Sequence, residues 1–598
     1  GYGHNCTGPV TSNAGVLRAN GNNELLGNSS GVTIAAGGQL NMNGMQLGAG
    51  LRSYAFTIAG AGPDGLGAIT NTSATQVFQN AGIRWLTLSG NASVGGNGGR
   101  FDIGLATNFA AGGITGNGFT LTKVGSNVVT MRAPAAGITY VVNAGTLKFE
   151  DFDTASGSNA IAVNGGTLQG YGNRTHGNTL NFAPGTTLDN DGGGTQTWTG
   201  PISLGGTAAD QVNVTARSGA INLAGVISGA AKLVSTGGNT LTLTGANTFT
   251  GATSVNAGTL VLGGANGAIA ASPVVTLAYG TTLKLDNLNT ANNADRLGDG
   301  AAITMNGATL NFSHDGIVTS YSETAGVLSI NAGPNTVQAS QAAPGQTSAL
   351  TFASLSRTAG TKVNFSGTGL GVDTRNRILF ATAPALTNGI LGTWALINNN
   401  GWATYDAALG VRELAAYTDV TRLTGNKVIA DAPLAHVRII EGTAAAASIT
   451  LGSAVTTIHT LTQSTSGGAT AATIDLAGST LRLAAEGGIL SQSGAGALTI
   501  GTGATPGVLT AGGADNTAGL LTVVNSSGNN LTVNAAIADN GAGVIGVRKE
   551  GTGNLVYAGT VANTHTGTTI VDVGNLYLNK TGVAAISGPV QMGGGNNS

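Results

Sequence analysis

One short phrase returns along this chain and limits what it can fold into more than any other feature. Asn143-Ala144-Gly145-Thr146-Leu147 recurs as Asn164-Gly165-Gly166-Thr167-Leu168, as Asn256-Ala257-Gly258-Thr259-Leu260 and as Asn306-Gly307-Ala308-Thr309-Leu310. Looser copies end at Leu40, Leu188, Leu283 and Leu481. Neighbouring copies stand 20 to 27 residues apart, from Leu168 to Leu188 at the short end and from Leu283 to Leu310 at the long end. A period in the low twenties is the mark of a solenoid. The gap from Leu188 to Leu260 fits three further turns.

The phrase has a physical meaning. Asn tolerates a left-handed backbone and Gly adopts it without steric cost, so the first three residues make a corner. Thr is β-branched and suits a strand, and Leu then points inward. The flanks keep the alternation, as in Leu241-Thr242-Leu243-Thr244, Leu260-Val261-Leu262, Val212-Asn213-Val214 and Ile221-Asn222-Leu223. These are short half-buried strands between Gly/Asn turns.

The expected fold is all-β, a right-handed parallel β-helix (β-solenoid) of roughly 20–27 residues per rung, the hand following from the crossover rule. At about 22 residues per rung the chain makes about 27 rungs. Asn side chains repeated at one corner, as at Asn143 and Asn164, should form amide ladders along the axis. A string of sandwich modules is the competing architecture. Aromatics at 5 % are too few for sandwich cores in a chain of 598 residues, whereas a narrow column fills with Leu, Val, Ile and Ala.

Composition closes other routes. One hundred glycines oppose helix throughout, at ~1 kcal/mol each relative to alanine. They keep no three-residue period, which excludes a collagen helix. With 24 Lys+Arg against 26 Asp+Glu there is no cationic excess to displace counterions from a nucleic acid. At 41 % apolar and 8 % charged the chain does not read as disordered. No apolar run reaches the length of a membrane-spanning helix, and no secretory leader is visible. The single cysteine, Cys6, forbids an internal disulfide and reads as a free thiol, with an interchain bond as the lesser alternative.

Four stretches are expected. Residues 1–113 are N-terminal rungs, 114–368 the main repeat solenoid, 369–420 an elaborated aromatic and charged segment, and 421–598 C-terminal rungs with a second clear repeat copy. The third stretch carries Trp394, Trp402 and Tyr405 and lacks the repeated phrase. It reads as an elaborated rung set, a laterally packed insert or a break between two solenoid blocks, and the first of these is favoured.

The run Thr240-Leu241-Thr242-Leu243-Thr244-Gly245-Ala246-Asn247-Thr248-Phe249-Thr250-Gly251, followed by Thr253-Ser254-Val255-Asn256-Ala257-Gly258-Thr259-Leu260, resembles the autotransporter-associated β-strand repeat, the passenger-type β-helix of Gram-negative surface proteins. A second copy runs from Asn563 to Leu578, with His565 where the first has Phe249, and a degenerate third covers Gly137 to Leu147. Residues 295–417 resemble long surface proteins that carry this repeat, through Arg296-Leu297-Gly298-Asp299 and Tyr321-Ser322-Glu323-Thr324. The resemblance implies an exported stalk or passenger, extracellular or at the cell surface and attached to the outer membrane through parts outside this chain. The likeness of Thr7-Gly8-Pro9-Val10 to Ser587-Gly588-Pro589-Val590 suggests a segment of something longer, whose open ends are covered by the remainder or by stacked copies.

The chemistry-bearing residues are sparse. His4, His176, His314, His436, His459 and His565 show no metal-ligand spacing, no Ser lies in a nucleophile elbow, and neither metal nor cofactor is expected. Polysaccharide-active β-helices need carboxylates from neighbouring rungs, and the candidates are Glu150, Asp151 and Asp153, then Asp189 and Asp191 in a Gly-rich corner that is also a weak Ca²⁺ candidate. Trp394, Trp402 and Tyr405 are candidate glycan contacts, with local packing as the bland alternative. The structural corner and core positions are Asn143, Gly145, Leu147, Asn164, Gly166, Leu168, Asn256, Gly258, Leu260, Asn306 and Leu310. The expected function is a non-catalytic structural or adhesive stalk or fibre subunit. It associates with copies of itself or with a surface glycan, and does not bind nucleic acid or insert into a membrane. The alternatives are a polysaccharide lyase or hydrolase and a glycan-binding passenger.

Overall fold

The computed structural model describes residues 6–21, 26, 29–47, 54–78, 82–104, 113–288, 291–316, 320–422, 427–440, 448–465, 470–502 and 505–593. His4 lies outside them. Parallel strands stack as a β-solenoid of about 22 turns. Among the described residues the only helix is one 3₁₀ turn, Asp153–Ser156. Two compact units are present, Gly1–Thr304 with Thr309–Val327, and Met305–Ala308 with Leu328–Ser598.

Across residues 161–243 of the first unit each turn contributes one strand to each of three walls. Ile161–Val163, Thr167–Gly170 and Arg174–His176 form one turn. Leu180–Phe182, Thr187–Asn190 and Thr195–Trp198 form the next, paired in parallel with the first. Inward side chains then lie over like side chains. Leu147 pairs with Leu168 and Leu168 with Leu188, while Leu260 pairs with Leu283 and Leu283 with Leu310. All six are at most 1 % exposed. Each such side chain contributes ~1.5–3 kcal/mol by leaving water.

One expectation is corrected here. Leu188 and Leu260 do not share a column. The Leu188 column continues through Val214, Ser235, Val255 and Leu277. Leu260 stands on another wall, over Leu241 and Ile221. The repeated phrase encodes a corner followed by a strand, and more than one corner of the coil uses it.

The corner chemistry is as the phrase implies. Gly145 has φ of +66° and Gly258 +68°. A Cβ on Gly145 would lie 2.4 Å from the Gly125 carbonyl oxygen, and one on Gly258 2.2 Å from that of Asn239. Glycine is therefore required by conformation and by the rung beneath. Asn164 Nδ2 donates to Asn143 Oδ1 at 3.0 Å, and the same ladder runs from Asn575 through Asn554 to Asn530.

Turn lengths run from 18 residues, Val128 to Thr146, to 34, Ile489 to Val523. The long end exceeds the expected 20–27 because residues such as 511–518 leave the wall as a loop between Val508–Thr510 and Gly519–Asn525. Longer turns also explain why about 22 turns are made rather than 27.

The second unit contains two stacks of strands, each built from more than one sheet and called a ladder below. In the first, Pro334–Ala339, Lys362–Ser366 and Ala395–Ile397 are parallel. Gly401–Asp406 and Gly410–Glu413 then fold back antiparallel. The second ladder runs from Thr418–Thr421 to Val590–Met592 around its own core, which includes Ile458, Leu483, Val523 and Leu555. The two pack side by side through a separate apolar cluster of Ile390, Leu396, Trp402, Leu414, Leu490 and Val524. Strands of the second ladder at this contact are buried on both faces, as in Val455–Gln463 and Gly519–Asn525.

Candidate functional site

Four of the five carboxylate candidates of the first unit are held by cations. Arg100 bridges Asp102 at 2.7 Å and Glu150 at 2.9 Å, and Arg132 reaches Asp151 at 2.6 Å. Lys148 lies 3.6 Å from Glu150 and 3.4 Å from Asp191, with its amine over the Tyr171 ring. Asp189 is buried and accepts from Gln169 Nε2 at 2.7 Å and Arg217 Nη2 at 2.8 Å. Burial pushes its carboxyl up, against the pull of Gln169 and Arg217. Asp153 Oδ1 accepts the Thr175 N–H at 3.2 Å. Arg217 thus pairs with Asp189 and Lys148 with Asp191. Cys6 is exposed.

Two buried lysines were not legible as a pair. Lys123 Nζ donates to the carbonyls of Val124, Gly125 and Ala144. Lys549 Nζ donates to those of Glu550, Gly551 and Val573. In each unit the amine lies beside the glycine of the next corner, 2.6 Å from a Cβ placed on Gly145 and 2.9 Å from one on Gly574. Burial pulls Lys123 down to about 7 and Lys549 to about 8. The three carbonyls act the other way, since only the ammonium carries three donors. The signal in the sequence is Thr122-Lys123-Val124-Gly125 against Arg548-Lys549-Glu550-Gly551, each followed about 20 residues later by a Gly corner.

The aromatic candidates separate. Trp402 is fully buried and its Nε1 donates to Thr462 Oγ1 at 2.9 Å. A sugar cannot reach it, so its assignment as a glycan contact is corrected to interior packing. Tyr405 packs on Phe380, and its hydroxyl accepts the Phe380 N–H and donates to the Phe380 carbonyl. Trp394 is half-buried, with the Arg357 guanidinium 4.7 Å from its ring centroid. Trp394 alone of the three lines a cleft of about 370 Å³ in the second unit.

The two ladders of that unit form this cleft. Thr336, Asn364, Trp394, Asn398, Asn399 and Asn400 face Ser493, Ser526, Glu550 and Thr552. Lys362 lines it too, and its amine contacts Glu550 at 2.9 Å and Asp572 at 2.8 Å. Arg548 reinforces that bridge, with Nε 2.8 Å from Asp572 and Nη1 donating to the Gly360 carbonyl at 2.7 Å.

A second polar contact holds the ladders together. His436 bonds the Asn388 carbonyl through Nε2 at 2.8 Å, and His459 Nδ1 lies 2.9 Å from Asn388 Nδ2. The two imidazoles are 4.9 Å apart. Burial, with His436 adding, pulls His459 down to about 4. A histidine lowered on folding contributes stability that is full above its ordinary 6.5 and is lost as pH falls toward 4. The protection of the Thr387 and Ile390 amides against hydrogen exchange, relative to the intrinsic rate at each pH, should therefore fall between pH 6.5 and 4. His459→Gln should flatten that dependence; an unchanged profile in the variant would exclude His459 as the cause.

Residues 233–262 run through about one and a half turns of the first unit, with Lys232–Thr236 under Thr253–Val255 and Thr240–Leu243 under Thr259–Leu262. Residues 233–262 match the passenger-associated-transport-repeat. The chain thus carries an autotransporter passenger-type β-helix repeat, and the matched stretch is continuous with its neighbours in register. No curated protein and no solved structure matches the chain.

Proposed function

We propose that this chain is an exported, surface-displayed β-solenoid with a mechanical and adhesive task, and that it is not a catalyst. The observation that carries this reading is the passenger repeat built into the wall as an ordinary stretch of the coil. Main-chain bonds between successive turns and an interior of stacked Leu, Val and Ile support a stiff display element. Four of the five acidic candidates support the non-catalytic part, because Arg100, Arg132, Lys148 and Arg217 already engage them. No helix among the described residues is long and apolar enough to cross a membrane.

Association between copies belongs to the same reading. It is supported by the exposed apolar side chains of Leu578, Val590 and Met592 on the strands Asn575–Leu578 and Val590–Met592. An antibody against residues 421–598 should label intact cells of the source bacterium, and external protease should remove the label. Labelling only after lysis would overturn the surface assignment. Incubation with a panel of polysaccharides should release no reducing ends; sustained release above a heat-denatured control would restore the enzyme reading.

A further inference from the structure

We infer that the cleft in the second unit is a binding site for a neutral carbohydrate chain, gripped by the Asn398-Asn399-Asn400 turn and Trp394. This goes beyond the display role and does not depend on where the protein resides.

The turn is a built feature. It joins Ala395–Ile397 to Gly401–Asp406, with Ile397 opposite Gly401. Asn398 and Asn399 have φ of +51° and +53°, a region that Asn tolerates better than other non-glycine residues. Both ladders pin it. Asn399 N–H donates to Asn364 Oδ1 at 2.7 Å, and Asn398 N–H to the Phe365 carbonyl at 2.9 Å. From the other ladder Ser493 N–H donates to Asn400 Oδ1 at 2.6 Å, Gln492 Nε2 to the Asn400 carbonyl at 3.0 Å, and Ser526 Oγ to the Asn399 carbonyl. Two successive left-handed residues, closed by Asn400 N–H donating to the Ile397 carbonyl at 2.7 Å, are what a tight hairpin turn requires, and the bonds from both sides hold that turn at the cleft.

These bonds engage the backbone and the Asn364 and Asn400 oxygens. Among the described residues the Asn399 amide, the Nδ2 groups of Asn364 and Asn400, and the hydroxyls of Thr336 and Thr552, all on residues that line the cleft, have no protein hydrogen-bond partner, while the Asn398 side chain is held by Ser366 and Gly367. Amide donors and hydroxyls lining one cleft supply the kind of partners that sugar hydroxyls take. Trp394 adds an apolar surface of the kind a pyranose ring stacks on, since Arg357 covers one side of the indole and is not part of the cleft.

Charge selects against anions. The cleft's one cation, Lys362, is paired with Glu550 and Asp572. A phosphate or sulfate would have to displace a buried carboxylate. The volume, about 370 Å³, lies at the low end of small-ligand sites, which fits a few sugar units and not a folded partner.

The test is a printed panel of neutral oligosaccharides (linear glucose, mannose and N-acetylglucosamine chains), sulfated and sialylated glycans, and peptides, probed with the 598-residue chain. At least one neutral class should be retained, with binding unchanged between 50 and 500 mM salt. Two variants, Asn399→Gly and Trp394→Ala, should each weaken it tenfold or more. Asn399→Gly keeps the left-handed backbone, so its thermal transition should match the parent and its loss of binding cannot be ascribed to unfolding. Retention of acidic glycans or peptides alone, no retention at all, or neutral-glycan binding that survives Asn399→Gly would each overturn the inference.

Discussion

Trp402→Ala should lower the stability of the second unit by about 3–5 kcal/mol, the range for truncating a buried large aromatic side chain. The indole is fully buried among Ile390, Leu396, Leu414, Leu490 and Val524, and its N–H is bonded to Thr462. Packing around it is tight enough that a Cβ on Gly488 would meet Cη2 at 2.5 Å. Repacking cannot fill the void, because both faces belong to hydrogen-bonded ladders. Calorimetry of the intact chain should show the transition of this unit fall while that of the first unit holds. Trp402→Phe, which keeps the apolar bulk and loses the N–H, should recover most of the loss. If both variants melt with the parent, the two ladders do not depend on this contact.

Arg296→Met should be comparably severe in the first unit, about 3–5 kcal/mol as for breaking a buried charge network. Arg296 is 0 % exposed. Its guanidinium donates to the carbonyls of Gly264, Gly267 and Asp286 and to Asn287 Oδ1. Glu323, also buried, accepts the N–H groups of Arg296 and Leu297. Methionine fills much of the volume but leaves those carbonyls unpaired and Glu323 without its nearest cation. Urea unfolding measures the loss; a shift under 1 kcal/mol would show that water replaces the guanidinium. Burial pushes Glu323 up to about 7, although both backbone donors and Arg296 oppose the shift. A carboxyl raised on folding costs stability as pH rises from its ordinary 4.5 toward 7. Glu323→Gln should therefore gain on the parent across that window, and a constant difference would contradict the raised value.

The same two clusters mark how far the sequence could be read. Arg296 and Glu323 stood out as parts of recognisable phrases, but nothing in either phrase says that one side chain reaches back under two earlier turns while the other receives its main chain. Lys123 and Lys549 were visible as single cations in apolar strands, and only stacking brings the next corner's glycine over each amine. The wall-to-wall contact had a faint trace: Ile489-Leu490 and Val523-Val524 break the alternation of a half-exposed strand. Periodicity along one strand cannot name the partner that covers its second face. Trp402 and Trp394 sit eight residues apart in similar surroundings, yet a hairpin turns one into the interior and leaves the other at a cleft.

The sequence by itself determined the coil. Asn-Gly corners, β-branched strand residues and leucines every 20 to 27 positions are local instructions, repeated often enough that each turn templates the next through main-chain bonds. Only the tertiary structure decided which corner each phrase occupies, which carboxylates meet cations and where two ladders enclose a polar cleft. Those outcomes depend on contacts between residues 20 to 190 positions apart, such as Lys148 with Asp191 and Arg548 with Gly360. The register of the whole stack sets such distances, and no single repeat contains that information.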